Sequence, residues 1–207
     1  MFDLPKRKIN TKFYSLAYKN FIETELKTLE ENVSNKDRSL RILDLGSYDG
    51  RVGFIITDIL LVKPLELYLT DYNEDYLNNQ IRPNVLEEEE FIKIQKEDVT
   101  NLSFPSDQFD IITSMGDTFS LIYKDCYGGA PNNEAFTSDA LSFNFIKSVS
   151  EALRVLKKDG VLLFGIDPAF LPDYEQLLSE VDLLGSTKKT KVEYGTGRYI
   201  ITCKKKQ

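Results

Sequence analysis

Residues 42–50 of this chain, Ile-Leu-Asp-Leu-Gly-Ser-Tyr-Asp-Gly, are the stretch that decides its fold. An apolar run contains one acid, Asp44, breaks at Gly46 and reaches Gly50, where a helical pattern begins. Glycine permits backbone torsions and close approaches that a side chain would obstruct, and the first N–H groups of a helix can face a ligand. The stretch predicts a strand, a glycine turn and a helix start at a ligand site, with Asp44 orienting the turn or receiving a cationic ligand group.

Strand-like and helix-like patterns alternate along the rest of the chain. Apolar runs predict strands over 39–45, 65–70, 91–95, 109–113 and 161–166, and a closing pair over 191–194 and 198–203. Helical periodicity covers 11–35, 50–61, 74–80, 138–157 and 174–181. The fourth of these helices is predicted to end at 157–160, Lys-Lys-Asp-Gly, with Gly160 as a left-handed cap.

This alternation predicts an α/β fold with an open, mostly parallel sheet of seven strands and helices on both faces. The closing pair adds an antiparallel strand near the C-terminal end. Ligands in such sheets bind beyond the carboxyl ends of the strands, where the strand order reverses. We expect one domain over 1–207, with a helical cover at 1–38, a core at 39–207 and an insertion at 116–137.

Composition excludes several kinds of site. The 207 residues include no histidine, which removes Ser-His and Cys-His pairs, histidine metal sites and an imidazole base. Two cysteines, Cys126 and Cys203, cannot form a thiolate zinc site, and no metal site is expected; free thiols suit a reducing compartment. The net charge of −7 argues against a large nucleic-acid footprint. Without a signal peptide or an apolar run that could span a bilayer, the sequence predicts a cytoplasmic protein that does not enter membranes.

The glycine stretch fits one known motif better than others. A dinucleotide fingerprint would need glycine at Tyr48 and Arg51, and a phosphate loop would need Gly-Lys-Ser/Thr after position 49. The stretch instead resembles the first motif of class I S-adenosylmethionine-dependent methyltransferases, acid-x-Gly-x-Gly-x-Gly. Tyr48 replaces the usual middle glycine, and Asp159 replaces the usual second glycine before the fifth strand.

Four further segments resemble that family in the same order along the chain. They are 67–71 (Leu-Tyr-Leu-Thr-Asp), 97–99 (Glu-Asp-Val), 102–112, which contains Leu-Ser-Phe-Pro and Phe-Asp-Ile-Ile, and 151–163, which contains Arg-Val-Leu-Lys-Lys-Asp-Gly. Each segment alone is a weak signal, but five in order over roughly residues 40–166 are specific. The resemblance implies a Rossmann-like fold and S-adenosyl-L-methionine as cofactor.

The resemblance also implies which residues bind the cofactor. Asp71, at the end of the second strand, would accept the ribose hydroxyl groups, and Asp98 with Val99 would meet the adenine ring. The alternative is that Asp44 and Asp71 are turn or cap acids, although their joint spacing within the motif favours ligand binding, and that Asp98 belongs to an ordinary turn. The cofactor-binding residues implied are Asp44, Gly46, Ser47, Tyr48, Gly50, Asp71, Tyr72, Asp98, Val99, Ser114 and Met115.

The acceptor side is expected around 116–137, the least regular stretch, which reads either as a binding loop or as a short helix and a mobile loop. Asp117 and Asp167 are the candidate general bases, although Asp167 could be a turn acid before Pro168. Acceptor contacts are predicted at Tyr14, Tyr18, Thr118, Tyr123, Lys124 and Tyr127. The expected function is methyl transfer to a small-molecule acceptor at N, O or C. A non-catalytic binding or regulatory module is the alternative, and RNA or protein methylation is disfavoured.

Overall fold

The computed structural model describes residues 40–47, 50, 52–53, 66–85, 90–114, 138–166, 174–191 and 199–206. Its strands are β1 (Arg41–Leu45), β2 (Glu66–Asp71), β3 (Ile92–Lys96), β4 (Phe109–Ser114), β5 (Leu156–Ile166), β6 (Gly185–Lys191) and β7 (Tyr199–Lys205). Its helices are α1 (Glu74–Tyr76), which continues as a π-helical turn (Leu77–Ile81) and a 3-10 turn (Arg82–Asn84), α2 (Ser138–Val155) and α3 (Tyr174–Leu184).

The strands form a seven-stranded sheet in the order β3-β2-β1-β4-β5-β7-β6. Strands β1 to β5 pair only in parallel with one another, whereas β7 runs antiparallel to both β5 and β6. The predicted Rossmann-like sheet with an antiparallel strand near the C-terminal end is confirmed. The strand order reverses between β1 and β4, which places the expected ligand site at the carboxyl ends of these two strands.

The sheet is buried on both faces, which explains why its central strands are nearly continuous apolar runs. In β1, Leu43 and Leu45 pack into one cluster with residues of α2 and α3, among them Phe145 and Val181. The alternate residue Ile42 packs into a second cluster on the opposite face. That cluster also contains Val52 and, from the π-helical turn, Leu77 and Ile81.

Two predicted boundaries are wrong. Helix α2 ends at Val155, and β5 begins at Leu156, so residues 157–160 belong to a strand and Gly160 is not a left-handed cap. A Cβ atom on Gly160 would lie 2.9 Å from the Asp110 carbonyl oxygen, so glycine here allows close strand approach. Strand β6 begins at Gly185, before the predicted start at 191, because an edge strand can be polar and lack an apolar run.

Two of the family-like segments interlock through an arginine on α2. Arg154 donates from Nη1 to the Phe104 carbonyl oxygen and from Nη2 to the Leu102 carbonyl oxygen, each at 2.8 Å. The same guanidinium donates to both carboxylate oxygens of Glu151, which also accepts from the Leu102 N–H at 3.1 Å. Hydrogen bonds from Arg154 lower the pKa of Glu151 below its usual value. These hydrogen bonds of Arg154 and Glu151, here called the Arg154 clamp, hold the loop that leads into β4 against α2.

The predicted helix over 11–35 lies outside the described residues, and of the helix predicted over 50–61 only Gly50 and Val52–Gly53 are described, the last two as helix. Asp110, which the sequence places at a strand entrance, accepts from Lys157 Nζ at 2.8 Å and from the Arg41 N–H at 3.0 Å.

Among the described parts of the chain, none of the helices has the length and apolar character needed to cross a membrane.

Candidate active site

The carboxyl ends of β1, β2, β3 and β4 bring several predicted site residues to one edge of the sheet. Asp44 and Gly46 lie at the end of β1, Asp71 is the last residue of β2, and Ser114 is the last residue of β4. Asp98 follows β3. This edge contains the point where the strand order reverses, so the residues that the motif predicted share the position where such sheets bind ligands.

The glycine turn after β1 has the backbone that the sequence predicts. Gly46 has a φ of 67° and Gly50 a φ of 75°, both in the left-handed region that side chains disfavour. Ser47 ties this turn to the end of β2, because its N–H donates to the Thr70 carbonyl oxygen at 2.8 Å and its hydroxyl accepts from the Thr70 N–H at 3.0 Å. The Gly50 N–H then donates to the Ser47 carbonyl oxygen at 2.7 Å.

Asp44 is the buried acid of the site, with 1% of its surface exposed. Its Oδ1 atom accepts a hydrogen bond from Thr113 Oγ1 at 2.9 Å, across the β1–β4 pair. Its carbonyl oxygen accepts from Ser47 Oγ at 2.8 Å and from Thr70 Oγ1 at 2.9 Å. Both ends of the residue are therefore held by hydroxyl groups, and the carboxylate has a defined position.

Gly53 is a tightly packed position beside Asp44 that the motif did not single out. A Cβ atom there would lie 2.5 Å from Leu69 Cδ2 and 3.4 Å from Asp44 Oδ2. The missing side chain lets the start of the helix approach β1 and β2 closely, as the third glycine does in related nucleotide-binding turns. The sequence feature that could have indicated Gly53 is that it follows Gly46 and Gly50 as a third glycine. It lies at the start of a predicted helix, and such a helix must pack against the buried strands.

The acid at the end of β2 is partly engaged in a turn. Asp71 Oδ1 accepts from the Asn73 N–H at 2.9 Å, and the Asp71 carbonyl oxygen accepts from the Glu97 N–H at 3.1 Å. Tyr72, which follows, is 54% exposed, and Lys96 Nζ lies 5.7 Å from its ring centroid. Asp71 thus stabilises the turn through Oδ1, and it lies half-buried at the carboxyl edge of the sheet.

Two acidic residues, Glu97 and Asp98, accept hydrogen bonds from the loop that follows β3. Asp98 Oδ1 accepts from both the N–H and the hydroxyl of Thr100 at 2.8 Å, which makes it a turn acid as well. Val99 packs half-buried against the core. Glu97, which the sequence reasoning did not select, is 4% exposed, and its Oε2 accepts from the Ser103 N–H at 2.9 Å. Glu97 was not selected because the sequence alone does not show that a polar residue directly after a strand is buried.

Ser114 has a buried hydroxyl group at the carboxyl end of β4. Its side chain is fully buried, and within the described residues its hydroxyl has no hydrogen-bond partner. Buried hydroxyl groups normally have partners, so Ser114 Oγ is a group that a polar ligand atom could satisfy. Together with two carboxylates and a left-handed glycine turn, it fits a ligand that carries a cationic group and hydroxyl groups, as S-adenosyl-L-methionine does.

The remaining predicted site residues lie outside the described residues. They are Tyr48 and Met115 of the cofactor set, the candidate bases Asp117 and Asp167, and the acceptor contacts Tyr14, Tyr18, Thr118, Tyr123, Lys124 and Tyr127.

Comparison with known proteins identifies the family. Residues 36–197 match a family model described as a methyltransferase domain, which covers most of the chain and all five family-like segments. No curated protein sequence matches the chain.

Solved structures share the fold at low sequence identity. The PH0226 protein from Pyrococcus horikoshii OT3 matches with a TM-score of 0.64 and 17% identity over 97% of both chains. A SAM-dependent methyltransferase from Aquifex aeolicus matches with a TM-score of 0.62 and 15% identity, over 91% of this chain and 93% of its own. A TehB-like SAM-dependent methyltransferase from Corynebacterium glutamicum matches with a TM-score of 0.58 and 14% identity, over 93% of this chain and 100% of its own.

These likenesses show the fold, and the family model shows the family. The resemblance predicted from the ordered motifs is confirmed, and so is the predicted cofactor, S-adenosyl-L-methionine. The chain belongs to the family of S-adenosyl-L-methionine-dependent methyltransferases with a methyltransferase domain.

Proposed function

We propose that this chain transfers the methyl group of S-adenosyl-L-methionine to a nucleophilic N, O or C atom of a small-molecule acceptor. The observation that carries the proposal is the meeting of Asp44, Asp71 and the left-handed turn at Gly46 and Gly50 at the switch point of the sheet. When bound, the cofactor supplies a methyl group already activated by a positive sulfur atom. The main tasks of the protein are therefore alignment and exclusion of water.

Each described residue would have a distinct part in holding the cofactor. Asp44 would receive the ammonium group of the methionine portion, because a buried carboxylate is best satisfied by a cationic partner. Asp71 would accept the ribose hydroxyl groups. The backbone between Gly46 and Gly50 would lie against the ligand where a side chain could not, and Ser114 Oγ would satisfy a polar atom near β4.

Acceptor binding and proton removal would fall to residues near the ends of β4 and β5. With no histidine in the chain, a general base must be a carboxylate, a tyrosinate or a lysine. Asp117 and Asp167, three residues after β4 and one after β5, are the carboxylates best placed by sequence. We propose that the acceptor meets Tyr14, Tyr18, Thr118, Tyr123, Lys124 and Tyr127.

The small size of the acceptor and a cytoplasmic location are supported by composition. A net charge of −7 disfavours a polyanionic acceptor such as RNA, which would need clustered positive charge. The paucity of cysteine fits a reducing compartment.

A second function is favoured by one residue. Tyr48 stands where the family usually has the middle glycine, and a bulky ring there is compatible with a module that binds the cofactor but does not catalyse transfer. Binding of S-adenosyl-L-methionine without methyl transfer to any acceptor in a panel of amines, phenols, carboxylates and activated carbon acids would favour this module over the enzyme.

Titration calorimetry with S-adenosyl-L-methionine and S-adenosylhomocysteine tests the proposal. We expect both to bind, and no binding of either at millimolar concentration would overturn it. In Asp71→Asn we expect affinity to fall about tenfold, because an amide oxygen accepts more weakly than a carboxylate and its NH₂ group can only donate. Asp75→Asn is the control, since Asp75 lies four residues further on and is exposed. Equal affinities in the two variants would remove Asp71 from the ribose site.

A further inference from the structure

A cluster of hydroxyl groups surrounds the acid of the glycine turn. Thr113 Oγ1 donates to the Asp44 carboxylate at 2.9 Å, while Ser47 Oγ and Thr70 Oγ1 donate to the Asp44 carbonyl oxygen at 2.8 and 2.9 Å. All four residues are buried, with at most 6% of their surface exposed. Because these donors come from β2, β4 and the turn itself, the cluster joins three neighbouring strands at the carboxyl edge.

Thr113 lies at the end of a strand pair whose preceding residues are apolar. Parallel pairing of β1 with β4 aligns Ile42 with Ile111 and Leu43 with Ile112 before it aligns Asp44 with Thr113. The first two rungs are apolar and buried, so this strand pair is held together by apolar contact. Of these three described pairs only the last, Asp44 with Thr113, is polar, and it lies at the carboxyl ends of both strands.

The contacts of Asp44 fix the direction of its carboxylate. Oδ1 is held by Thr113 on β4, and Oδ2 lies 3.4 Å from the position that a Cβ atom of Gly53 would occupy. Threonine on a strand has few side-chain rotamers, so its hydroxyl is a rigid donor. A hydrogen bond to a charged acceptor is among the stronger kinds in proteins and constrains the angle of the carboxylate as well as its position.

We propose that Thr113 is a positioning residue for cofactor binding, whose hydroxyl holds the Asp44 carboxylate in the orientation that receives the ammonium group of the cofactor. The inference rests on the proposed function of the site. Thr113 itself acts through Asp44 and is assigned no contact with the cofactor. Ser47 and Thr70 hold the backbone of Asp44, so their hydroxyl groups support the turn rather than the carboxylate.

The test compares two ligands, only one of which carries the amino-acid portion with its ammonium group. S-adenosylhomocysteine carries the amino-acid portion, whereas 5′-methylthioadenosine lacks it and keeps the ribose and adenine. In Thr113→Val we expect calorimetry to show an affinity for S-adenosylhomocysteine about tenfold lower, the loss of one hydrogen bond to a charged group. The affinity for 5′-methylthioadenosine should be unchanged, and Thr113→Ser, which keeps the hydroxyl, should restore the first ligand to within about twofold.

Thr202→Val is the matched control. Thr202 is also a buried strand threonine, 3% exposed, but it lies on β7, and its hydroxyl has no hydrogen-bond partner among the described residues. We expect this variant to bind both ligands as the unaltered chain does. If Thr113→Val does not fold, Thr113→Ala removes the same hydroxyl without placing a methyl group beside the carboxylate.

The possible failures are distinguishable. If the unaltered chain binds neither ligand, the proposed function fails, whatever the variants do. If the unaltered chain binds S-adenosylhomocysteine and the valine and alanine variants bind it equally well, Thr113 does not position Asp44. Equal weakening of both ligands in Thr113→Val would also overturn the inference, because it would show that Thr113 supports the whole pocket rather than the carboxylate.

Discussion

Replacing Arg154 with methionine removes the clamp between α2 and the loop that leads into β4. The substitution keeps an unbranched apolar stem but deletes the guanidinium, which donates to the Leu102 and Phe104 carbonyl oxygens at 2.8 Å. Both carbonyl groups, and the Glu151 carboxylate at 2.8 Å, then lose a charged donor. The loop should separate from the helix more easily, and the free energy of unfolding should fall.

The size of the loss follows from the number and exposure of these contacts. A hydrogen bond to a charged group contributes about 1.5–3 kcal/mol when buried. The side chain of Arg154 is 35% exposed, so water replaces part of each bond, and the lower value suits the two carbonyl groups. A partly exposed ion pair adds at most about 1 kcal/mol. We therefore expect Arg154→Met to reduce the free energy of unfolding by about 3 kcal/mol, a substantial share of the roughly 5–15 kcal/mol typical of a domain.

Urea unfolding followed by far-ultraviolet circular dichroism measures this loss. The control is Arg82→Met, the same substitution at an exposed arginine whose Nε donates to Asn78 Oδ1 at 3.0 Å, and it should change stability by less than about 0.5–1 kcal/mol. Arg154→Lys should recover less than half of the loss, because lysine cannot reproduce the planar fork. A loss at Arg154→Met no larger than that at Arg82→Met would refute the clamp as a source of stability.

Two other predictions use the titration of Glu151 and Cys203. Hydrogen bonds from Arg154, the largest cause, lower the pKa of Glu151 from 4.5, so its stabilising effect is complete above that pH and is lost as pH falls through the lower, folded-state pKa. Urea unfolding from pH 7 down to about pH 3 should show a steeper loss in the unaltered chain than in Glu151→Gln, and identical slopes would contradict the linkage. Burial, with a smaller contribution from the charge of Asp182, raises the pKa of the Cys203 thiol to about 12, and the thiolate is the reactive form. In a Cys126→Ser background, an aromatic disulfide reagent should therefore label no thiol in the native protein and one after unfolding; labelling of the native protein at the rate of free cysteine would show that Cys203 is accessible.

The central strands could be predicted because a strand that is buried on both faces has a nearly continuous run of apolar residues. The apolar runs of β1, β4 and β5 were recognised for this reason. The boundary between α2 and β5 was missed because Leu156 is fully buried, and a buried leucine fits the end of a helix as well as the start of a strand. Strand β6 (Gly185–Lys191) was placed too late because its polar sequence, Gly-Ser-Thr-Lys-Lys-Thr-Lys, has no apolar run.

Features of the site that depend on adjacent residues could be predicted from the sequence, whereas contacts between residues far apart in the chain could not. Gly46 and Gly50 could be recognised because a turn of this kind needs left-handed torsions, which are a property of adjacent residues. Thr113 could not, because it meets Asp44 only when strands 69 residues apart in the chain pair side by side. Nothing in the local sequence distinguishes it from a threonine that fills a strand, such as Thr202.

The buried polar residues of this fold are concentrated at the edge of the sheet where we expect the ligand to bind. Nine polar or charged residues are buried among those described. Six of them lie at or next to the carboxyl ends of β1 to β4: Asp44, Ser47, Thr70, Glu97, Thr113 and Ser114. Hydrogen bonds offset the free-energy cost of burial for five of these six, but the Ser114 hydroxyl has no partner among the described residues, and apolar residues stabilise the same strands one or two rungs earlier. A sheet selected for stability alone would continue the apolar rungs to its edge, so the polar edge is where we expect the fold to have given up stability for binding.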